Sequence, residues 1–242
     1  MTKLVTIVIP VRAEAENIGA TVGRLVKHVH TPHTILIVDD HITASDTTRD
    51  AVARLQKRFS GIELLVKKPR DTDGFGPALS RAVDRVRTPY TVFVMGDGCD
   101  DPTLIDTMVR RARTSGADVI AGSRYSPGGK KVGGPWLQHI CSTMLNTCLS
   151  VIGMPTRDGT NAFKLYRTSF LRSILPVRPL RGVEFSLQLS LEGLKKHGRY
   201  LDIPTTWRGR TKGTSKIRLV KSGLQYQRLF FRILRLQLVK TQ

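Results

Sequence analysis

"YTVFVMGDGCDDP", residues 90–102, runs from an apolar stretch into a tight turn that carries Asp97, Asp100 and Asp101 and ends at Pro102. The stretch Tyr90 to Met95 has the length and β-branched, aromatic composition of a strand buried on both faces. Asp101 followed by Pro102 reads as a helix start, with Asp as N-cap and Pro at the first helical position. A strand feeding a helix through an acidic turn is half of a βαβ unit, and the flanking sequence repeats the pattern. "LVTIVIP" (4–10) precedes a helical stretch from Glu14 to His30, "TILIVDD" (34–40) precedes one from Asp46 to Phe59, and "IELLVKK" (62–68) precedes one from Gly76 to Val86. Pro102 to Thr114 reads as a helix and "ADVIAGS" (117–123) as a further strand. Right-handed crossovers between such strands predict an α/β fold with an open, mainly parallel, Rossmann-like sheet and helices on both faces. Ligands of these sheets sit beyond the carboxyl ends of the strands. Asp39 and Asp40 end one predicted strand as Asp97 and its neighbours end another, so two acidic clusters are expected to face one crevice.

Capping explains Asp101 but not Asp97, which lies where the strand ends. Two carboxylates about 5 Å apart repel by roughly 3 kcal/mol at an effective dielectric near 20. A divalent cation, Mg²⁺ or Mn²⁺, offsets that repulsion, because it takes one or two carboxylates and fills its other sites with substrate phosphates and water. The competing reading is a capped, solvated loop.

The rest of the chain sets the bounds. With 242 residues, 40% of them hydrophobic, there is enough apolar surface for one large α/β domain with or without an appendage. Lys and Arg outnumber Asp and Glu by 39 to 19, a net charge of +20, which directs the protein to polyanions, anionic lipid surfaces or phosphorylated small molecules. Cys99, Cys141 and Cys148 have neither zinc-type spacing nor an even count, pointing to a reducing compartment. The opening "MTKLVTIVIPVRAEAEN" lacks the apolar stretch of a signal peptide, so secretion is not expected. No run of about 18 uninterrupted apolar residues predicts a membrane-spanning helix.

The second half is less regular. A Gly-rich loop "SPGGKKVGG" (126–134) leads to an uncharged helical stretch, Pro135 to Ile152, then a polar turn "TRDGTN" (156–161) and a strand "AFKLY" (162–166). A helix from Glu184 to His197 and a strand "YLDIPTTW" (200–207) follow. No acidic residue occurs after Asp202, whereas Arg208, Arg210, Lys212, Lys216 and further cations do. Drawn as a helix, Lys221, Gln225, Arg228, Arg232 and Arg235 form a narrow polar stripe beside a wide apolar, aromatic face. A basic amphipathic helix of this kind lies in a lipid interface; docking on the protein's own core or on a second copy is the alternative. In residues 135–152, Gln138, Ser142, Asn146 and Ser150 form a polar stripe, consistent with a second lipid contact or with a core helix.

The motif order "IVIPVRAEAENI", "ILIVDD", "GFGPALSRAV", "VFVMGDGCDDP", "DVIAGSRYSPGG", "DGTNAFKLYR" and "VEFSLQLSLEGLKKHGRYLDIPTTWRGRTKGTSK" resembles the family-2 inverting glycosyltransferases of GT-A fold, in particular the group of dolichyl-phosphate mannose synthase and other polyprenyl-phosphate glycosyltransferases. The resemblance extends to about Lys216 and implies a catalytic domain over 1–216 with a basic amphipathic, membrane-interface segment over 217–242. It implies that Pro10, Glu14, Asp39 and Asp40 hold the nucleotide's base and ribose. Asp97 and Asp100 correspond to the family's metal-holding Asp-x-Asp, here compressed against the Asp-Pro, with Mg²⁺ or Mn²⁺ bridging the donor diphosphate. Arg124, Arg208, Arg210 and Lys216 match basic residues that clamp phosphates, for which the planar guanidinium fork is suited. Asp158 matches an acidic position near the acceptor, as base or as orienting group, with turn chemistry the plainer explanation. Ala13 stands where the family has Asn, and His41-Ile42 where Gly-Ser is usual.

The expected activity is inverting transfer of a sugar from a GDP- or UDP-sugar to a polyprenyl phosphate, by a cytoplasmic protein bound peripherally to the anionic inner face of a membrane. Arg124, Arg210 and Asp158 are the expected catalytic residues. An ionised phosphate acceptor needs no strong base, whereas a saccharide or soluble hydroxyl acceptor, the alternative, requires a carboxylate to take its proton. Nucleic-acid binding, the remote alternative, would call for a binding module or for exposed aromatics interleaved with the cations; no such module occurs, and the acidic crevice would repel a phosphate backbone unless a metal intervened.

Overall fold

The computed structural model describes residues 2–40, 47–210 and 219–240. Strands β1 (Val5–Val11), β2 (His33–Asp39), β3 (Ile62–Val66), β4 (Tyr90–Phe93), β5 (Val119–Ser123), β7 (Lys164–Arg167) and β8 (Tyr200–Pro204) form one sheet in the order β3-β2-β1-β4-β7-β5-β8. Its strands run parallel except β7, which is antiparallel to both β4 and β5. All seven residues of β1 are buried, as a central parallel strand requires.

Side chains alternate across the sheet. Ile7, Ile9, Ile35 and Ile37 face a core formed with α1 (Ala15–His28), α2 (Thr48–Arg58) and α4 (Ile105–Ser115). Val8, Leu36 and Val38 face a second core formed with α3 (Phe75–Arg85), α6 (Thr168–Ile174) and α7 (Phe185–Lys195). A third cluster joins α5 (Trp136–Val151), α7 and α8 (Leu219–Lys240) through Leu149, Leu187, Leu191, Leu229 and Ile233. The fold is GT-A: a mainly parallel sheet with helices on both faces and a C-terminal helix.

Asp101 caps the single 3-10 turn Pro102–Leu104 as expected, its Oδ1 accepting from Thr103 N at 3.1 Å. Three features depart from the sequence reading. The predicted strand 200–207 breaks at Thr205: Pro204 cannot donate to a ladder, and the chain leaves β8 to form β9 (Thr206–Arg208). β9 pairs in parallel with β6 (Lys130–Val132), which lies inside the stretch expected to be a Gly-rich loop. The helix α6 also had no sequence signal of its own, being only seven residues long. The boundary expected at 216/217 falls outside the described residues.

Candidate active site

Parallel β1, β2, β4, β5 and β8 all deliver their carboxyl ends to one edge of the sheet, and the reversed β7 delivers its amino end there. The segments Arg12–Glu14, Asp39–Asp40, Gly96–Asp100 and Ser123–Arg124 therefore lie along that edge with the turn Asp158–Asn161 and the extension from β9 to Arg210. The sheet order reverses between β1 and β4, the position at which doubly wound sheets open a crevice.

Arg210 stands at that opening. Its Nη2 donates to Asp97 Oδ2 at 2.8 Å and lies 3.8 Å from Glu14 Oε1. Asp97 Oδ1 accepts from Cys99 N at 3.2 Å, and Glu14 Oε2 accepts from Asn17 Nδ2 at 2.8 Å. The chain thus supplies, from 113 residues away, a positive charge that offsets the repulsion between these carboxylates. Ala13, just before Glu14, has φ of 51°, a left-handed conformation that Asn tolerates far better than Ala. Ala13→Asn is therefore expected to raise stability by about 0.5–1 kcal/mol, read as a higher urea midpoint at unchanged m-value.

The other acidic pair is buried and engaged. Asp39 Oδ2 lies 2.5 Å from Arg49 Nε. Asp40 Oδ2 accepts from Gly74 N at 2.7 Å, and its Oδ1 meets Arg81 Nη2 at 3.3 Å. Burial pushes the Asp40 carboxyl up, against the opposing pull of Gly74 N–H and Arg81. Gly74 is required there: its φ is 123°, and a Cβ would sit 2.6 Å from Arg181 O.

Asp100 is turned into its own loop, 5% exposed, with Oδ2 accepting from Met95 N at 2.8 Å. Burial raises its pKa to about 7, with Met95 N–H opposing and Asp97 adding. A carboxyl whose folded pKa is raised above the unfolded value favours folding most when protonated, so its contribution is complete below about pH 4 and is lost as pH rises towards 7. Asp100→Asn, which keeps an acceptor for Met95 N, is expected to leave the metal-free melting temperature nearly unchanged at pH 4. At pH 8 it should raise it by roughly 5 °C in a calorimetric scan.

Across the crevice, Arg124 and Asp158 form a closed pair. Arg124 Nε donates to Asp158 Oδ2 at 2.7 Å and Nη2 to Oδ1 at 2.8 Å, the two-pronged geometry of a guanidinium on a carboxylate. The backbone N–H of Arg124 and of Asn161 complete the shell of Asp158, which is 0% exposed. Burial pushes the Asp158 carboxyl up, but Arg124, aided by Lys164, outweighs it and leaves the group below the usual carboxylate range. Lys164 is itself wholly buried, donating to the carbonyls of Gly159 and Asn161, and burial lowers its pKa to about 8. Sequence reading passed over Lys164; a charged residue inside the apolar strand "AFKLY" was the available signal. Helix α5 closes this side: Asn146 Nδ2 donates to Thr160 Oγ1 at 2.9 Å, and Tyr125 Oη to Ser142 Oγ at 2.8 Å.

Of the expected site residues, the structure brings Glu14, Asp97 and Arg210 into contact, and separately Arg124 and Asp158. Pro10 is buried in β1 opposite Val38. Arg208 is exposed, its backbone N–H bonded to Cys99 O at 3.0 Å, which ties β9 to the acidic loop. Lys216 lies outside the described residues. Among the described residues no three His, Cys, Asp or Glu side chains converge as a metal set. Asp97 fits a hard cation that takes one protein carboxylate and completes its shell with phosphate oxygens and water.

Comparison with known proteins agrees with this architecture. A polyprenol monophosphomannose synthase of Mycolicibacterium smegmatis is 28% identical over 237 residues, covering 96% of this chain and 86% of that protein. An undecaprenyl-phosphate mannosyltransferase of Micrococcus luteus is 27% identical over 218 residues, covering 87% of this chain and 86% of its own. The crystal structure of glucosyl-3-phosphoglycerate synthase from Mycobacterium tuberculosis, in complex with Mn²⁺, UDP and glucosyl-3-phosphoglycerate, superposes with a TM-score of 0.70 over 97% of this chain and 80% of that one, at 15% identity. The family model described as "Glycosyl transferase family 2" matches residues 6–175, the span that holds the sheet from β1 to β7, the acidic turn and the Arg124–Asp158 pair, and the chain belongs to that family of glycosyltransferases.

Proposed function

We propose that the protein transfers a sugar, with inversion, from a GDP- or UDP-sugar to a polyprenyl phosphate, acting peripherally on the cytoplasmic face of a membrane. The observation that carries this reading is the state of Asp158. A hydroxyl acceptor needs a carboxylate free to take its proton, and Asp158 is sealed by Arg124 and held below the usual range. A phosphate monoester is already largely ionised at neutral pH and needs only to be positioned. The two relatives' names, each with a polyprenyl phosphate or polyprenol acceptor, support the same choice. Among the described residues no helix is long and apolar enough to cross a membrane.

In this reading Pro10, Glu14, Asp39 and Asp40 shape the nucleoside subsite, and Asp97 is the carboxylate that would hold Mg²⁺ or Mn²⁺. The ion would supply charge neutralisation on the departing diphosphate. Arg124, Arg208, Arg210 and Lys216 bind phosphate oxygens, Asp100 is the second and weaker carboxylate for the ion, and Asp158 holds the Arg124 fork in place on the acceptor side. The protein's own contribution is to orient the reactants and stabilise departing charge.

The test offers each nucleotide-sugar with Mn²⁺ to polyprenyl phosphate in detergent and, separately, to water-soluble saccharides. A lipid-linked sugar phosphate that disappears on chelation is expected. Transfer to a soluble hydroxyl, with none to polyprenyl phosphate from any donor, would overturn the reading.

A further inference from the structure

Helix α5 is amphipathic in the reverse of the usual sense. Its polar side chains Ser142 and Asn146 point inward, onto Tyr125 and Thr160 beside the Arg124–Asp158 pair. Its outward side is apolar: Leu137 is 47% exposed, Met144 64% and Val151 82%, with Ile140, Cys141 and Cys148 exposed along the same stripe. At 100° per residue these six positions fall within about 100° of one another. α5 has no Asp, Glu, Lys or Arg, and its one titratable nitrogen side chain is His139. An exposed apolar stripe of this length, flanked by exposed His139, Thr147 and Ser150 on a helix whose Ser142 and Asn146 serve the interior, calls for an apolar covering with a polar edge.

Helix α8 indicates what covers it. The two helices touch in the cluster of Leu149, Leu229 and Ile233, and Gln237 of α8 donates to Gly153 O just past the end of α5. α8 docks on the core through Leu229 and Ile233 yet leaves Leu224, Phe231 and Leu238 more than half exposed, at seven-residue intervals along one line. Beside that line Arg228, Arg232 and Arg235 border a groove of about 440 Å³ floored by Leu180, Leu229 and Phe231. Three guanidiniums over an apolar floor match a phosphate headgroup above acyl chains. They disfavour a second copy of this chain, because neither helix has an acidic residue to face the partner's arginines.

We infer that α5 is a lipid-contacting helix, laying its Leu137–Val151 stripe into the surface of an anionic bilayer beside α8 and so coupling the bilayer to the Arg124–Asp158 pair. The inference deepens the polyprenyl-phosphate reading and rests on it for its purpose. α5 would set the acceptor-binding side of the crevice against the membrane that holds the acceptor.

Two of the three native cysteines, Cys141 and Cys148, lie exposed on the stripe, whereas Cys99 is buried. The unmutated protein can therefore be labelled there with a polarity-sensitive thiol fluorophore and mixed with vesicles of phosphatidylcholine and phosphatidylglycerol. The labels are expected to shift to the blue and to be quenched by bromine on the lipid acyl chains. Met144→Asp with Val151→Asp, both at exposed positions, should reduce flotation with unlabelled vesicles by about tenfold or more. Retained thermal stabilisation by donor nucleotide would show that the variant is folded. Labels that stay in water while the protein floats would overturn the inference, since α8 would then bind alone. A dimer in light scattering that the double variant dissociates would also overturn it. Insertion without transfer to polyprenyl phosphate would instead remove the acceptor assignment and leave the lipid contact standing, and transfer in detergent with unshifted labels would do the reverse.

Discussion

Arg124→Met is expected to destabilise the protein by about 3–5 kcal/mol, because it leaves the fully buried Asp158 without its counter-charge. At roughly 2–4 °C per kcal/mol for a chain of this size, the melting temperature should fall by about 10 °C. Little of that loss measures the worth of the ion pair itself; most is the penalty of an unpaired carboxylate in the interior. Adding Asp158→Asn should therefore recover a large part of the loss, since it removes the buried charge while its single amide oxygen can still accept from one of the two backbone N–H groups that Asp158 binds, those of Arg124 and Asn161. The pH dependence should reverse as well. In the native protein Asp158 titrates below its unfolded value, so its stabilisation is present above the unfolded pKa and is lost as pH falls through the folded one. In Arg124→Met, burial is opposed only by Lys164 and the backbone N–H groups of residues 124 and 161, and the carboxyl moves up. The variant then gains stability on acidification, and the gap in melting temperature from the parent narrows from pH 7 to pH 4. A gap independent of pH would mean that lost packing of the arginine stem, rather than the carboxylate, sets the penalty. Arg124→Lys separates function from folding: charge is kept and the fork is lost, so most of the stability should remain while transfer falls on the order of 10²-fold.

The residues that sequence reading joined and those it did not differ in a physical way. Runs such as "VTIVIPV" carry their burial in their own composition, and the 3.6-residue pattern of α1 and α4 is equally local, so the parallel sheet and the crevice at its carboxyl edge could be read directly. The direction of β7 could not. Its four residues look alike in either orientation, yet only the antiparallel course brings Asp158 to the edge where Arg124 emerges. The break at Thr205 was likewise hidden, because Thr206 and Trp207 are good strand residues and only pairing with β6 shows that they left the main sheet. Charge placement across long separations was the least legible. The spacing of the carboxylates led to the expectation of a cation at the acidic turn, and the family resemblance implied Arg210 only as a phosphate clamp; that the same guanidinium rests on Asp97 depends on the path of β9. In α5 the polar stripe was visible and its direction was not, since a stripe of Ser and Asn suits solvent as well as buried partners until Thr160 and Tyr125 are seen beside it.

The Arg210–Asp97 contact leads to the other large effect. Arg210 Nη2 donates to Asp97 Oδ2 at 2.8 Å, so a divalent cation held by Asp97, as proposed above, would compete with this guanidinium for one carboxylate. A divalent cation and a guanidinium about 4 Å apart repel by roughly 8 kcal/mol at an effective dielectric near 20, too much for both to remain on Asp97 unless further negative charge arrives. A donor diphosphate brings that charge and gives Arg210 a better partner, since its planar fork suits phosphate oxygens bidentately. Arg210→Ala is therefore expected to act in opposite senses on two ligands. Mn²⁺ alone should bind about tenfold more tightly, a gain of some 1.4 kcal/mol from removing the competing cation. The nucleotide-sugar in saturating Mn²⁺ should bind on the order of 10²-fold more weakly for want of the phosphate contact. Calorimetric titration of the metal, then of the donor, reads both signs in one protein. Asp97→Asn provides the reference: it should weaken both ligands and reduce transfer by 10²-fold or more, because a neutral amide replaces the carboxylate oxygen on which both cations depend. If Arg210→Ala weakened Mn²⁺ as much as it weakened the donor, competition for Asp97 would be the wrong description, and Arg210 would instead be holding that carboxylate in place for the ion.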